Sequence, residues 1–139
     1  MTPTQALQKA LAAEHAAVVL YGILGARSSK SHQPALFHTL TSAFEAHRRT
    51  RDALSVLISG KGADPVAAEV DYAVPGSVGS PGQVQAVART IERRVTRTYG
   101  ELVAHTVGSD RTWAIGALDA AALRGLGFGV RPTDFPGID

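Results

Sequence analysis

Four stretches of the chain repeat apolar residues at helical spacing, and the breaks between them are short, long and short. That pattern leaves few ways to fold. An amphipathic helix has to bury its apolar stripe against another element. With no strand-like alternation anywhere, that element is another helix. Short breaks join antiparallel neighbours. Only the long break can carry the chain the length of a bundle, roughly 30–35 Å for helices of this size. The expected fold is all-α: an antiparallel four-helix bundle with one long crossover between the second and third helices. This is the ferritin-like arrangement rather than a plain up-down-up-down bundle.

The first helix is expected from about Thr4 to Ala26, behind Pro3 and a threonine cap. Its stripe is Leu7, Leu11, Glu14, Val18 and Tyr21. The second is expected from Pro34 to Ser59, with Leu36, Leu40, Ala43, His47, Thr50, Leu54 and Leu57 inward. The crossover takes residues of about 60–82 and holds Pro65, Pro75, Pro81 and five glycines, with a short turn of helix expected over Pro65 to Ala73. The third helix is expected from Pro81 to Val107, burying Ala88, Ile91, Glu92, Val95, Tyr99, Leu102 and Val103. The fourth starts behind Ser109 or Asp110 as a cap and runs to about Leu126, with Trp113, Ala114, Ala117, Leu118 and Ala121 inward. A glycine-rich tail, about 127–139, follows, and Phe128 and Phe135 are expected to pin it to the bundle. Residues 1–139 thus read as a single bundle domain, a length at which one core can close.

Composition then narrows the chemistry. The chain has no cysteine, which removes disulfides, thiolate metal sites and cysteine nucleophiles. Its 23 alanines allow helices to approach closely. The formal net charge of +2 is small for a nucleic-acid binder. The longest apolar run, Ala16 to Tyr21, is far short of the ~20 residues that span a bilayer. The opening residues lack a basic segment before an apolar core. A cytoplasmic protein with no membrane contact is the expectation.

Three ionisable residues interrupt the core stripes: Glu14 between Leu11 and Val18, His47 between Ala43 and Leu54, and Glu92 between Ala88 and Val95. A buried carboxylate needs a counter-charge or a shifted pKa. Three such groups from three helices predict a shared polar centre. Arg51, one turn beyond His47, is expected to join Glu14, His47 and Glu92 in a buried network.

EHAAVVLYG in the first helix sets Glu14 and Tyr21 a heptad apart, and TIERRVTRTYGELV does the same for Glu92 and Tyr99. With AHRRTRDAL, GADP and the closing FPGI, these segments resemble an alanine-rich family of ferritin-like domains with no assigned function, found mainly in high-GC Gram-positive bacteria. Di-iron carboxylate proteins of that fold place a Glu on each of two helices and Glu-x-x-His on each of the others. The resemblance maps the lone glutamates onto Glu14 and Glu92, and the first histidine onto His47. The position three before His47 is Phe44, and the fourth helix has Asp119 followed three residues later by Ala122. The ligand set is therefore reduced from six to three, too few for two bridged metals.

The resulting expectation is a non-catalytic helical interaction or structural protein with a degenerate di-metal site. It would need no cofactor, and would form a homodimer or bind a protein partner. The alternative is an oxidase or ferroxidase-type protein holding one iron or manganese ion on Glu14, His47 and Glu92. A third option is anion or nucleic-acid contact through Arg89, Arg93, Arg94 and Arg97, against which stands the simpler reading of a solvated face. His15 reads as a boundary residue, and His105 as a cation suited to a helix C-terminus. GLGFG is no phosphate loop, because no strand precedes it and no helix follows.

Overall fold

A computed structural model describes residues 1–138 as four helices and their connections, so Asp139, the last residue of the expected tail, lies outside the described residues. The helices are α1 (Pro3–Ala26), α2 (Pro34–Gly60), α3 (Pro81–Ala104) and α4 (Gly108–Gly127). The chain is all-α, a four-helix bundle with a long loop between α2 and α3.

Side-chain contacts fix the helix directions. Along α1, Lys9, Glu14 and Tyr21 meet Glu101, Tyr99 and Glu92 of α3 in reverse order. Glu14 also meets His47 of α2, and Gly22 lies against Phe44, so α1 and α2 are antiparallel as well. Tyr99 packs edge-on against Trp113, and Glu92 meets Arg124, which makes α3 and α4 antiparallel. It follows that α2 and α3 run in the same direction. Two consecutive parallel helices cannot be joined by a tight turn, and this is the physical reason for the long loop.

Local chemistry sets the helix ends. Pro3, Pro34 and Pro81 each open a helix at a position whose N–H has no intrahelical partner. Thr2 and Gln5 form a reciprocal capping box on α1, and Ser80 caps α3 through the Gln83 N–H. Two boundaries differ from expectation. Helix α3 ends at Ala104, and His105 takes the C-cap, its Nδ1 donating to the Glu101 carbonyl at 2.8 Å. Helix α4 starts at Gly108 without a side-chain cap. Asp110 sits inside its first turn and pairs with Lys61, so a carboxylate complements the helix N-terminus from within.

Helix α1 is central, packing against both α2 and α3. Buried Ala6, Ala10 and Ala17 let the neighbours come close, while Leu7, Leu11 and Leu24 fill the interior. It is also long and apolar enough to cross a membrane, with a mean hydropathy of 1.2 over 18 residues. In the bundle its middle carries fully buried Glu14.

The expected helical turn over Pro65 to Ala73 does not form. Side chains of α1 hold that backbone extended instead. Gln8 Nε2 donates to the Asp64 carbonyl (2.7 Å), the Val66 N–H donates to Gln8 Oε1 (2.8 Å), and His15 Nε2 donates to the Val66 carbonyl (2.9 Å). With those groups engaged and Pro65 lacking an N–H, little is left to close a turn.

In the tail Phe128 is buried, but Phe135 is 71% exposed and pins nothing. The anchor is Gly137, in the left-handed region at φ +86°, lying backbone to backbone on α3. A Cβ on Gly100 would stand 2.7 Å from the Gly137 carbonyl oxygen, and one on Gly137 would stand 2.6 Å from that of Thr96. Two glycines replace the expected aromatic, because only they permit so close an approach.

Candidate functional site

The antiparallel packing of α1 on α3 turns two identical sequence motifs into a reciprocal clasp. Each helix carries a glutamate followed seven residues later by a tyrosine. Tyr21 on α1 donates to Glu92 Oε1 of α3 (2.7 Å), and Tyr99 on α3 donates to Glu14 Oε1 of α1 (2.5 Å). His47 of α2 lies between them. Its Nδ1 meets Glu14 Oε2 at 2.5 Å and its Nε2 meets Glu92 Oε1 at 2.9 Å. The Tyr21 ring stacks on the imidazole at 5.1 Å between centroids. Glu14, His47 and Glu92 are all fully buried.

Geometry dictates the protonation state. A carboxylate only accepts hydrogen bonds, so a histidine facing a carboxylate from each ring nitrogen must carry a proton on both. Burial opposes that charge, but hydrogen bonds from His47 to Glu14 and Glu92 overcome it, and the His47 pKa is pushed up to about 9. Burial alone would raise the pKa of Glu92; the hydrogen bond and charge of His47, with the charge of Arg124, bring it below the ordinary value. Burial, then Glu92, drives the Tyr21 phenol above its usual range, and burial, then Glu14, does the same for Tyr99. Both tyrosines are neutral donors at pH 7.

The fourth helix supplies a residue that the sequence reading missed. Arg124 reaches from α4 to Glu92 Oε1 at 3.2 Å. Arg51, expected in that role, is outside the network. It sits one turn after His47, but its side chain is 27% exposed and its guanidinium is held by neighbouring Asp52 at 2.9 Å. An exposed partner one residue away is reached without burying the charge. The signal for Arg124 was an arginine placed three residues after inward-facing Ala121 on a helix otherwise lined by small side chains.

Charges therefore balance within the network: Glu14 and Glu92 against His47 and Arg124. Hydrogen bonds do not balance. Glu14 uses both oxygens. Glu92 Oε1 takes three donors, whereas its buried Oε2 has none among the described residues.

Beside Glu92 lies a cavity of about 330 Å³, bounded by α3, α4 and the tail. The helix-three arginines divide around it. Arg93 and Arg97 line it, together with Arg131 of the tail. Arg89 turns to the tail and donates to the Phe128 carbonyl at 3.0 Å. Arg94 is exposed and does not line the cavity.

A family model described as Domain of unknown function (DUF4439) matches residues 6–139. Among solved structures, the chain is similar to the crystal structure of a conserved hypothetical protein, rv2844, from Mycobacterium tuberculosis. The TM-score is 0.84 and the identity 29%, covering 94% of this chain and 93% of that one. No curated protein matches the sequence.

Proposed function

Because the chain belongs to this family of domains of unknown function, whose description carries no activity, we propose from the geometry that it is a non-catalytic helical bundle that acts by binding. In this reading it is a ferritin-like domain whose centre has become a self-neutralising hydrogen-bond network. The observation that carries it is the occupation of His47: both ring nitrogens are committed to carboxylates. A metal ion on Glu14, His47 and Glu92 would have to displace those protons and then meet the positive charge of Arg124. On α4, where a second Glu-x-x-His would stand, the buried residues are Ala114, Ala121 and Gly125. The donor set does not fit a di-metal centre. Protein purified from cells grown with added iron and manganese is expected to carry neither in stoichiometric amount. Stoichiometric metal, lost on Glu14→Gln, would favour the oxidase reading.

The binding partner in this proposal is a second copy of the chain. Ile115 and Leu123 are 44% and 66% exposed on α4, with Gly116, Asp119 and Ala120 on the same outer face. Exposed apolar residues with glycine and alanine alongside suit close helix pairing, and twofold dimers are the commonest oligomers. Light scattering is expected to give a dimer mass that Leu123→Glu converts to monomer. A monomer at all concentrations would end the dimer proposal.

A further inference from the structure

We infer that the chain is two copies of one helical hairpin in tandem, related by a twofold axis through the buried network, and that Ala121 stands where the counterpart of His47 belongs. The inference goes beyond the dimer proposal and does not depend on it.

The hairpins are α1–α2 and α3–α4. Helices α1 and α3 are both 24 residues long. Aligned from their first residues, they agree at Pro3 and Pro81, Gln5 and Gln83, Glu14 and Glu92, Tyr21 and Tyr99, and Gly22 and Gly100. The agreement extends to use. Thr2 and Ser80 cap their helices through the N–H of the matching glutamines. The hairpins also close alike. Gly62 and Gly129 both take positive φ, +76° and +95°, and the N–H of the next residue reaches back to the carbonyl of Ile58 or Gly125. A heptad pattern explains shared burial, but not shared caps and closures.

Helices α2 and α4 align from their first residues too. Buried Leu40, His47 and Leu54 then fall on buried Ala114, Ala121 and Phe128. Helix α4 is the shorter, 20 residues against 27, so Phe128 comes from just beyond its end. Contacts support this register. Glu92 meets α4 at Arg124 and Gly125, about a turn after Ala121, whereas Trp113, next to Ala114, packs on Tyr99.

Under twofold symmetry every contact has a mate. The bond from Tyr99 to Glu14 has one, from Tyr21 to Glu92. The bond from His47 Nδ1 to the other oxygen of Glu14 has none. Its mate would run from residue 121 to the other oxygen of Glu92, and a methyl group donates nothing. That oxygen, Oε2, is the buried side-chain atom left without a partner among the described residues. The symmetry thus accounts for which of the four carboxylate oxygens is bare. It also accounts for Arg124, which supplies the second positive charge that a second imidazolium would have brought.

The test moves the histidine across the axis. His47→Ala/Ala121→His keeps the composition of the core, and swaps that conserve volume are the best tolerated. Urea unfolding is expected to give it a folding constant at least tenfold above that of His47→Ala alone. Histidine ¹⁵N shifts at pH 7.5 are expected to show an imidazolium at the new position, which mere filling of space would not produce. His47→Ala/Ala114→His is expected to recover nothing. Ala121→Ser and Ala114→Ser, with His47 in place, decide the matter should the exchanged chain not fold. The hydroxyl at 121 faces the bare oxygen, so its urea midpoint is expected to stay at or above that of the parent chain, while the serine at 114 lowers it. Recovery no better from 121 than from 114, a neutral imidazole at 121, or equal losses in the two serine variants would overturn the inference.

Discussion

Glu14 and Glu92 occupy matching places on antiparallel helices, each a heptad before a tyrosine that clasps the other. Their surroundings are nevertheless unequal. Glu14 is enclosed by α1, α2 and α3 and has a donor on each oxygen. Glu92 faces α4, where a Cβ on Gly125 would stand 3.6 Å from its own Cβ and Arg124 reaches in from the side. Three donors crowd one oxygen and leave the other bare. The same residue in the same motif thus has both oxygens partnered on one side and one oxygen bare on the other. The fourth helix makes the difference: α2 brings a bridging histidine, and α4 brings small side chains.

Amide substitution tests this inequality most strongly. In Glu14→Gln an NH₂ group must face a donor, either His47 or Tyr99, and an imidazolium loses its closest counter-charge. The expected loss is about 3–5 kcal/mol, the range for breaking a buried pair. In Glu92→Gln the amide nitrogen can take the place of Oε2, where no donor stands, while the oxygen keeps its three. The expected loss is smaller, about 1–2 kcal/mol. Urea unfolding of both variants gives the order; equal losses would mean that the two sides are equivalent.

Protonation of His47 binds the two sides together, and its effect has a definite sign. The folded pKa, about 9, lies above the unfolded value of 6.5. The stabilisation is therefore complete below pH 6.5 and is lost as pH rises through 9. It amounts to about 3 kcal/mol by linkage. Glu92 works at the other end of the scale. Its folded pKa is depressed, so its contribution is present above the ordinary carboxylate range and is lost in acid. Unfolding midpoints measured from pH 6 to 10 should fall across the upper window. A flat profile would show that His47 is neutral in the fold.

Much of this architecture was legible in the order of residues. Heptad spacing put Glu14, His47 and Glu92 on inward stripes, and all three are buried together. The pattern of short, long and short breaks required α2 and α3 to run parallel. What escaped depends on reach and on backbone contact, which periodicity does not encode. Arg51 has the right spacing after His47, but a four-bond side chain at a half-exposed position turns to the nearest solvated carboxylate. Arg124 follows inward-facing Ala121 by three residues, but it is the length of its side chain that takes it into the network. The Pro65 to Ala73 segment lost its expected turn to Gln8 and His15, more than fifty residues earlier in the chain. The cavity is walled in part by Gly137, which lies on Gly100, a pairing that no local motif signals.

That pairing provides a way to disturb the Glu92 side alone. Gly100→Ala forces the Gly137 carbonyl away from α3, an overpacking expected to cost about 2 kcal/mol. Hydrogen exchange should speed up in residues 128–138 while the middle of α1, around Glu14, stays protected. Loss of protection in α1 as well would mean that the tail supports the whole core and not just the cavity.

The smallest effect gives the finest comparison. Tyr99→Phe removes the one donor to Glu14 Oε1 and leaves a buried carboxylate oxygen bare, for an expected loss of about 2 kcal/mol. Tyr21→Phe removes one of three donors to Glu92 Oε1, and His47 and Arg124 remain in place. Its expected loss is below about 1 kcal/mol. Both changes delete the same hydroxyl from rings that are equally buried, so lost packing cancels in the comparison. The difference between the two measures how far the Glu14 side depends on single donors. A reversed order would place the strained oxygen on Glu14 and the surplus of donors there too, contrary to the arrangement of α2 and α4 around the two carboxylates.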